Sequence, residues 1–273
     1  MTIKFFCTHW GSAGMKWDDF IQKVKHSGYE GIEYGFGREV SEGELTNFWN
    51  RAEKENLLVI AQHYDTYESD FSKHYDLYAA WLEKAVAFKP LKINSQTGKD
   101  FFSFEQNKAL IDLATDVSKN TGIEICHETH RNKFSFAAHI TAEYLKKIPY
   151  LNITLDVSHW VCVAESYLHD QQETMKLAIS RTGHLHARVG YPEGPQVSDP
   201  RSPEWKEALD IHLAWWDSII EFKRQTNSAM MTVCTEFGPA PYMPLLPFTV
   251  QPVANQWDIN VYMMNLLRSR WQV

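Results

Sequence analysis

Eight times along the chain, a short apolar run of strand length is followed by a stretch whose apolar residues recur at helical spacing. This alternation constrains the fold more than any single motif, because strands joined through single helices pair in parallel by right-handed crossovers. The runs begin near residues 3, 31, 57, 91, 122, 151, 183 and 230. After the first, Trp17, Phe20, Ile21 and Val24 fall at i, i+3, i+4 and i+7, a one-faced helix that Gly28 stops. Helix-like stretches follow from about Glu42 to Glu55, Pro203 to Arg224 and Trp257 to Arg270, and a stretch running to about Ser180 follows the sixth run. Eight units in roughly 250 residues are what a closed α/β barrel of the (β/α)8 type requires. The rival is an open doubly wound sheet, which normally carries a Gly-rich phosphate turn after its first strand. Here that turn reads Thr8-His-Trp-Gly-Ser-Ala-Gly14 and does not match GxGxxG. No linker divides the chain, so residues 1–273 are expected to form a single domain.

Charge narrows the partners. Lys and Arg number 27 against 34 Asp and Glu, a net charge of −7, which is a poor match for phosphate backbones or anionic lipid. Neither nucleic acid nor a membrane is therefore expected as a partner, and no apolar stretch approaches the 18 or so residues of a membrane span. The opening Met-Thr-Ile-Lys-Phe-Phe-Cys shows no signal-peptide pattern, and Cys7, Cys126, Cys162 and Cys234 form no CxxC pair. The expected location is the cytoplasm.

In a barrel, the active site is built at the C-terminal ends of the strands. Strand five ends in Cys126-His-Glu128-Thr-His130-Arg131-Asn-Lys133, strand six in Leu155-Asp156-Val-Ser-His159-Trp160, strand seven in His184-Leu-His186-Ala-Arg188, and strand eight in Thr235-Glu236-Phe-Gly-Pro239. Four successive strands thus deliver an acidic residue or a histidine at one end of the barrel. Glu128, Asp156, His186 and Glu236 would offer three carboxylates and one imidazole to a single divalent cation, Mn²⁺, Mg²⁺, Co²⁺ or Zn²⁺. Without a cation the crowded carboxylates would repel one another and take up protons. Each residue also has a plainer structural reading. Asp156, two residues before Ser158, suits a helix N-cap, and one of the alternating pair His184 and His186 suits a supporting hydrogen bond.

The segments HETH, LDVSHW, HLHARVG and TEFGP resemble the xylose isomerase-like TIM-barrel superfamily, which holds sugar isomerases and epimerases and relatives of the apurinic endonucleases. The resemblance spans the chain in architecture, and its specific motifs lie between residues 126 and 239. In ketose 3-epimerase-like members, a metal is bound by Glu, Asp, His and Glu from strands five to eight. The resemblance places these ligands at Glu128, Asp156, His186 and Glu236, with the two glutamates as the acid/base pair and His159 on the substrate. Arg188 departs from the ketose epimerase pattern, which has Gly-Glu near this place. Oligomer formation through barrel loops is common in that family, and no segment here demonstrates it.

The implied reaction is proton transfer next to a carbonyl of a small sugar or polyol-derived substrate, through an enediolate that the metal stabilises. His63, His130, Arg188 and Trp160 are further candidates for substrate contact. Arg188 and Arg131 would grip a carboxylate or phosphate, and Trp10 with Trp160 would form an apolar wall. His9 and Glu33 also fall at strand ends. The long segment from Val189 to Ser202 is expected to be a lid over the site. The Pro-rich stretch from Pro239 to Pro252 is expected to shape the mouth, make an oligomer contact or serve as a stiff connector. Two other functions compete: a metal phosphodiesterase of the apurinic-endonuclease kind recruiting His9 and His63, and a sugar-binding barrel without turnover.

Overall fold

The computed structural model describes residues 1–273 and is a closed barrel of eight parallel strands in sequence order. The strands are β1 (Thr2–Thr8), β2 (Gly31–Gly35), β3 (Leu58–His63), β4 (Lys92–Ser95), β5 (Glu124–Glu128), β6 (Ile153–Leu155), β7 (Thr182–His186) and β8 (Met230–Thr235). Six residue pairs from Thr2↔Met230 to Cys7↔Thr235 zip β1 to β8 and close the ring. Each apolar run expected from sequence is a strand.

The helices are α1 (Trp17–His26), α2 (Glu42–Lys54), α3 (Phe71–Ala87), α4 (Phe104–Thr121), α5 (Ala138–Lys147), α6 (Val157–Ala164), α7 (Gln172–Arg181), α8 (Lys206–Gln225) and α9 (Gln256–Trp271). Their boundaries follow local chemistry. Ser41 and Glu44 close a reciprocal capping box on α2, Ser103 and Gln106 another on α4, and Gly122 ends α4 in the left-handed region at φ 74°. The stretch after β6 is two helices rather than one, because Glu165 turns left-handed and ends α6.

Side chains alternate along each strand, so one set packs outward under the helices and the other fills the barrel. Phe5 and Cys7 join the main core, whereas Phe6 forms a separate small apolar cluster with Ile60 and Cys234. Gly31, paired with Phe6, makes room for it: a Cβ there would lie 2.4 Å from the Phe6 ring and 2.5 Å from the Leu58 carbonyl. Two residues further along β2 and β4, the same inward register presents Glu33 and Asn94, and the filling turns polar.

The segment from Val189 to Ser202 is packed in place rather than poised as a lid. Val197 is fully buried and its N–H bonds the Val189 carbonyl at 2.9 Å, while Gln196 exchanges two hydrogen bonds with the Gly238 backbone. The Pro-rich stretch does shape the mouth through Tyr242, and its outer edge leaves Leu246, Phe248 and Val250 exposed. No helix is long and apolar enough to cross a membrane.

Candidate metal centre and active site

The C-terminal mouth of the barrel opens into a cavity of about 570 Å³, a volume typical of small-molecule sites. His9, Trp10, Tyr34, Phe36, Tyr64 and Tyr242 wall it, and Gln62, Gln96, Glu128, Arg188 and Glu236 are among its polar residues.

Ligand atoms of Glu128, Asp156, His186 and Glu236 all lie within 4.8 Å of one another, and all four residues are buried. Strand geometry explains the convergence. Glu128 and His186 are the last residues of β5 and β7, while Asp156 and Glu236 directly follow β6 and β8. Asp156 is also the N-cap of α6, its Oδ1 accepting from the Ser158 N–H at 3.0 Å and the Ser158 hydroxyl at 2.5 Å. The plainer reading and the functional one therefore hold together: one oxygen caps the helix and the other is turned to the cluster.

These residues fit a divalent cation. Nδ1 of His186 stands 2.9 Å from Glu236 Oε2 and 3.9 Å from Glu128 Oε1, yet it is buried without a hydrogen-bond partner. A partnerless imidazole nitrogen facing carboxylates is a costly arrangement in a dry interior. A cation among hard oxygens and one imidazole relieves it, and the buried groups could hold such an ion.

The carboxylates are steadied from around. The Asn94 amide donates to Glu33 at 2.8 Å and to Glu128 at 2.9 Å, Gln96 donates to Glu128 at 3.3 Å, and Gln62 donates to Glu236 at 3.1 Å. Burial pushes the Glu128 carboxyl up to about 7, with the nearby Glu236 and Asp156 carboxylates adding to the rise and His186 opposing it. Burial also acts on Glu236, but His186 and Arg188 outweigh it and hold that carboxyl below the usual range. Burial disfavours charge on His186, yet Glu236, Glu33 and Glu128 keep it protonated well above its ordinary value.

Of the expected substrate contacts, His130 and Arg188 line the cavity. Arg188 is turned inward, however, with its guanidinium on Asp156, 2.8 Å from His159 Nε2, 3.2 Å from Ser158 Oγ and 3.5 Å from Glu236 Oε2. It neutralises the cluster rather than presenting a free fork. His159 is fully buried behind it. His63 is held away from the cavity, bonded to Thr66 Oγ1 at 2.6 Å and packed on Tyr78 and Trp81, so it serves the core. Trp160 is likewise a core residue, its indole N–H spent on the Ser135 carbonyl, and Trp10 supplies the wall instead. His9 packs among Trp17, Phe20 and Tyr34, and Arg131 donates to the Tyr242 hydroxyl. Neither His9 nor His63 belongs to the buried group of possible ligands, as the phosphodiesterase reading would need.

Sequence reasoning passed over Asn94, Gln62, Gln96 and Lys133. The first three lie at or just beyond the ends of β3 and β4, and the rule applied to strands five to eight would have found them had amides been weighed beside acids and histidines.

The buried carboxylate–imidazole cluster lies at the C-terminal ends of the strands, the place where barrel enzymes carry their active sites. No family model matches the sequence, and no curated protein does. Solved structures share its fold. The probable 3-DHS dehydratase AsbF from Bacillus anthracis, involved in petrobactin synthesis, superposes with a TM-score of 0.60 at 18% identity over 98% of both chains. A sugar phosphate isomerase/epimerase from Parabacteroides distasonis superposes with a TM-score of 0.61 at 14% identity, over 97% of this chain and 98% of the other. At such identities the likeness is one of fold alone, that of a closed (β/α)8 barrel.

Proposed function

We propose that this protein is a divalent-metal-dependent isomerase or epimerase of a sugar or sugar derivative, moving a proton on a carbon next to a carbonyl. The observation that carries this reading is the convergence of Glu128, Asp156, His186 and Glu236 around the partnerless Nδ1 of His186. Those four side chains would hold one Mn²⁺, Mg²⁺, Co²⁺ or Zn²⁺. When bound, the cation supplies positive charge to substrate oxygens as negative charge develops on them.

The chain's own groups supply the proton traffic. Glu128 and Glu236 would stand on opposite sides of the reacting carbon, one removing a proton and the other returning it. Return to the same carbon from the opposite face gives epimerisation, and return to its neighbour gives isomerisation. Gln62 and Asn94 fix the carboxylates for this work, and Trp10 and Tyr242 offer faces on which a sugar can stack. The fold likeness to a sugar phosphate isomerase/epimerase supports the same class.

The test is solvent deuterium uptake by a set of ketoses, aldoses and inososes with Mn²⁺ present. The wild-type protein should exchange one carbon-bound hydrogen in at least one of them. Glu128→Gln and Glu236→Gln should each lose on the order of 10²–10⁴-fold in rate. Exchange by neither wild type nor variants, or by both variants at the wild-type rate, overturns the proposal.

A further inference from the structure

The cavity has a second pole. Lys133 lines it, yet its side chain is almost fully buried and its Nζ has no hydrogen-bond partner. The turn that delivers it is specific: the Lys133 N–H bonds the His130 carbonyl at 3.2 Å, and Asn132 takes the left-handed conformation at φ 66°. A second lysine, Lys99, is also buried, its backbone pinned by Asn107 on both sides, at 3.2 Å through its N–H and 2.9 Å through its carbonyl. The half-exposed ring of Tyr67, also part of the cavity wall, lies 5.7 Å from the Lys133 ammonium and 5.5 Å from that of Lys99.

Neither lysine is in an ion pair. The acids that act on Lys133 are Glu128, Asp65 and Asp100, and none comes within ion-pair distance of it: Glu128 accepts from Asn94 and Gln96, and Asp65 takes the Arg38 N–H on Oδ2 at 2.7 Å while its Oδ1 stays without a partner. A buried ammonium with no acceptor is strongly unfavourable, so a protein keeps one where something else supplies the acceptor. The aromatic ring offsets only part of that cost.

We propose that Lys133, supported by Lys99 and covered by Tyr67, is a subsite for an oxyanion on the substrate, a carboxylate or a phosphate. The inference rests on the reading of the carboxylate cluster as the reacting centre of the same cavity. The substrate class then narrows from sugars in general to sugar acids or phosphorylated sugars, with the anionic group on Lys133 and the reacting carbon at Glu128 and Glu236. Burial lowers the Lys133 pKa to about 8, with Lys99 adding to the effect, and at neutral pH the group still carries its charge.

Equilibrium binding to the Mn²⁺-loaded protein tests this with three unreactive probes: D-glucitol, D-gluconate and D-glucitol 6-phosphate. At least one anion should bind about tenfold or more tighter than neutral glucitol, as expected for a charge-assisted contact in a buried site. Which anion gains more separates carboxylate from phosphate. Lys133→Met should erase the preference, Lys133→Arg should keep it, and Lys99→Met should reduce it. A gain that came from the anion touching the metal would survive in Lys133→Met, so a preference retained there overturns the subsite. Equal binding of all three probes to wild type, or no binding of any, overturns it as well. No turnover enters this measurement. Absent deuterium exchange with intact anion preference would sink the isomerase reading alone, and intact exchange with no preference would sink the subsite alone.

Discussion

Oε1 of Glu33 lies 3.0 Å from Nε2 of His186, on the opposite edge of the ring from the Nδ1 that faces Glu236. The other oxygen of Glu33 lies 2.9 Å from Nε2 of His184, whose Nδ1 is spent on Thr232. One buried carboxylate thus holds both histidines of β7. By accepting from Nε2, it would leave Nδ1 of His186 as the lone pair for a cation once the imidazole gives up its second proton on metal binding. Carboxylates behind ligating histidines typically contribute 10–100-fold to metal affinity. Glu33→Gln should weaken Mn²⁺ binding by about that factor in titration calorimetry, with the barrel still folded by circular dichroism. Unchanged affinity would show that Glu33 serves the barrel interior alone.

Arg188 is the cation already present among the proposed ligands, seated on Asp156 and 3.5 Å from Glu236. Its removal should therefore have opposite effects on stability and on metal binding. Arg188→Met leaves the buried Asp156 without its partner, and in EDTA should lose about 3–5 kcal/mol of stability in urea unfolding. Mn²⁺ affinity should rise at least about tenfold, since a unit charge about 4 Å away is worth several kcal/mol even at an effective dielectric near 20. A fall in affinity together with stability would mean that Arg188 shapes the ligand set rather than competing for it.

Lys133 makes a prediction in which pH fixes the sign. Burial lowers its folded-state pKa to about 8, below that of the unfolded chain, so between about pH 8 and 10.5 the unfolded state binds more protons. Wild-type stability from this group therefore rises with pH across that window, and below it the buried charge costs its full amount. Lys133→Met should raise stability at pH 7 by about 1–3 kcal/mol, and the advantage should shrink towards pH 10. Parallel melting curves at the two pH values check it. A variant less stable than wild type at pH 7 would show that the ammonium has an internal partner.

Much of the fold was legible in the sequence because its signals are local. An apolar run such as Leu151 to Leu155 and the helical spacing of Trp17, Phe20, Ile21 and Val24 report on neighbours in the chain. Chain order then sets barrel order. The cluster of Glu128, Asp156, His186 and Glu236 was legible for the same reason, since each sits at a strand end. What was not legible depends on direction. His63 and Gln62 adjoin on β3, yet alternation turns Gln62 towards Glu236 and His63 outward to Tyr78 and Trp81. Trp160 looked like a sugar platform from its place beside His159, but on α6 it points into the core. Length made Val189–Ser202 resemble a lid, and the buried Val197 with the Gln196 bonds to Gly238 reveals a fixed segment. Lys133 carried no signal in pattern, because its burial is set by the turn at Asn132.

The most direct measurement is a titration of the EDTA-treated protein with Mn²⁺, followed by anomalous scattering from crystals of the loaded form. One ion per chain should bind, bridging Glu128, Asp156, His186 and Glu236 at metal–ligand distances of about 2.0–2.3 Å. No binding at millimolar Mn²⁺, or an ion found elsewhere while Arg188 stays closed on Asp156, would contradict a metal-dependent reaction at this barrel mouth.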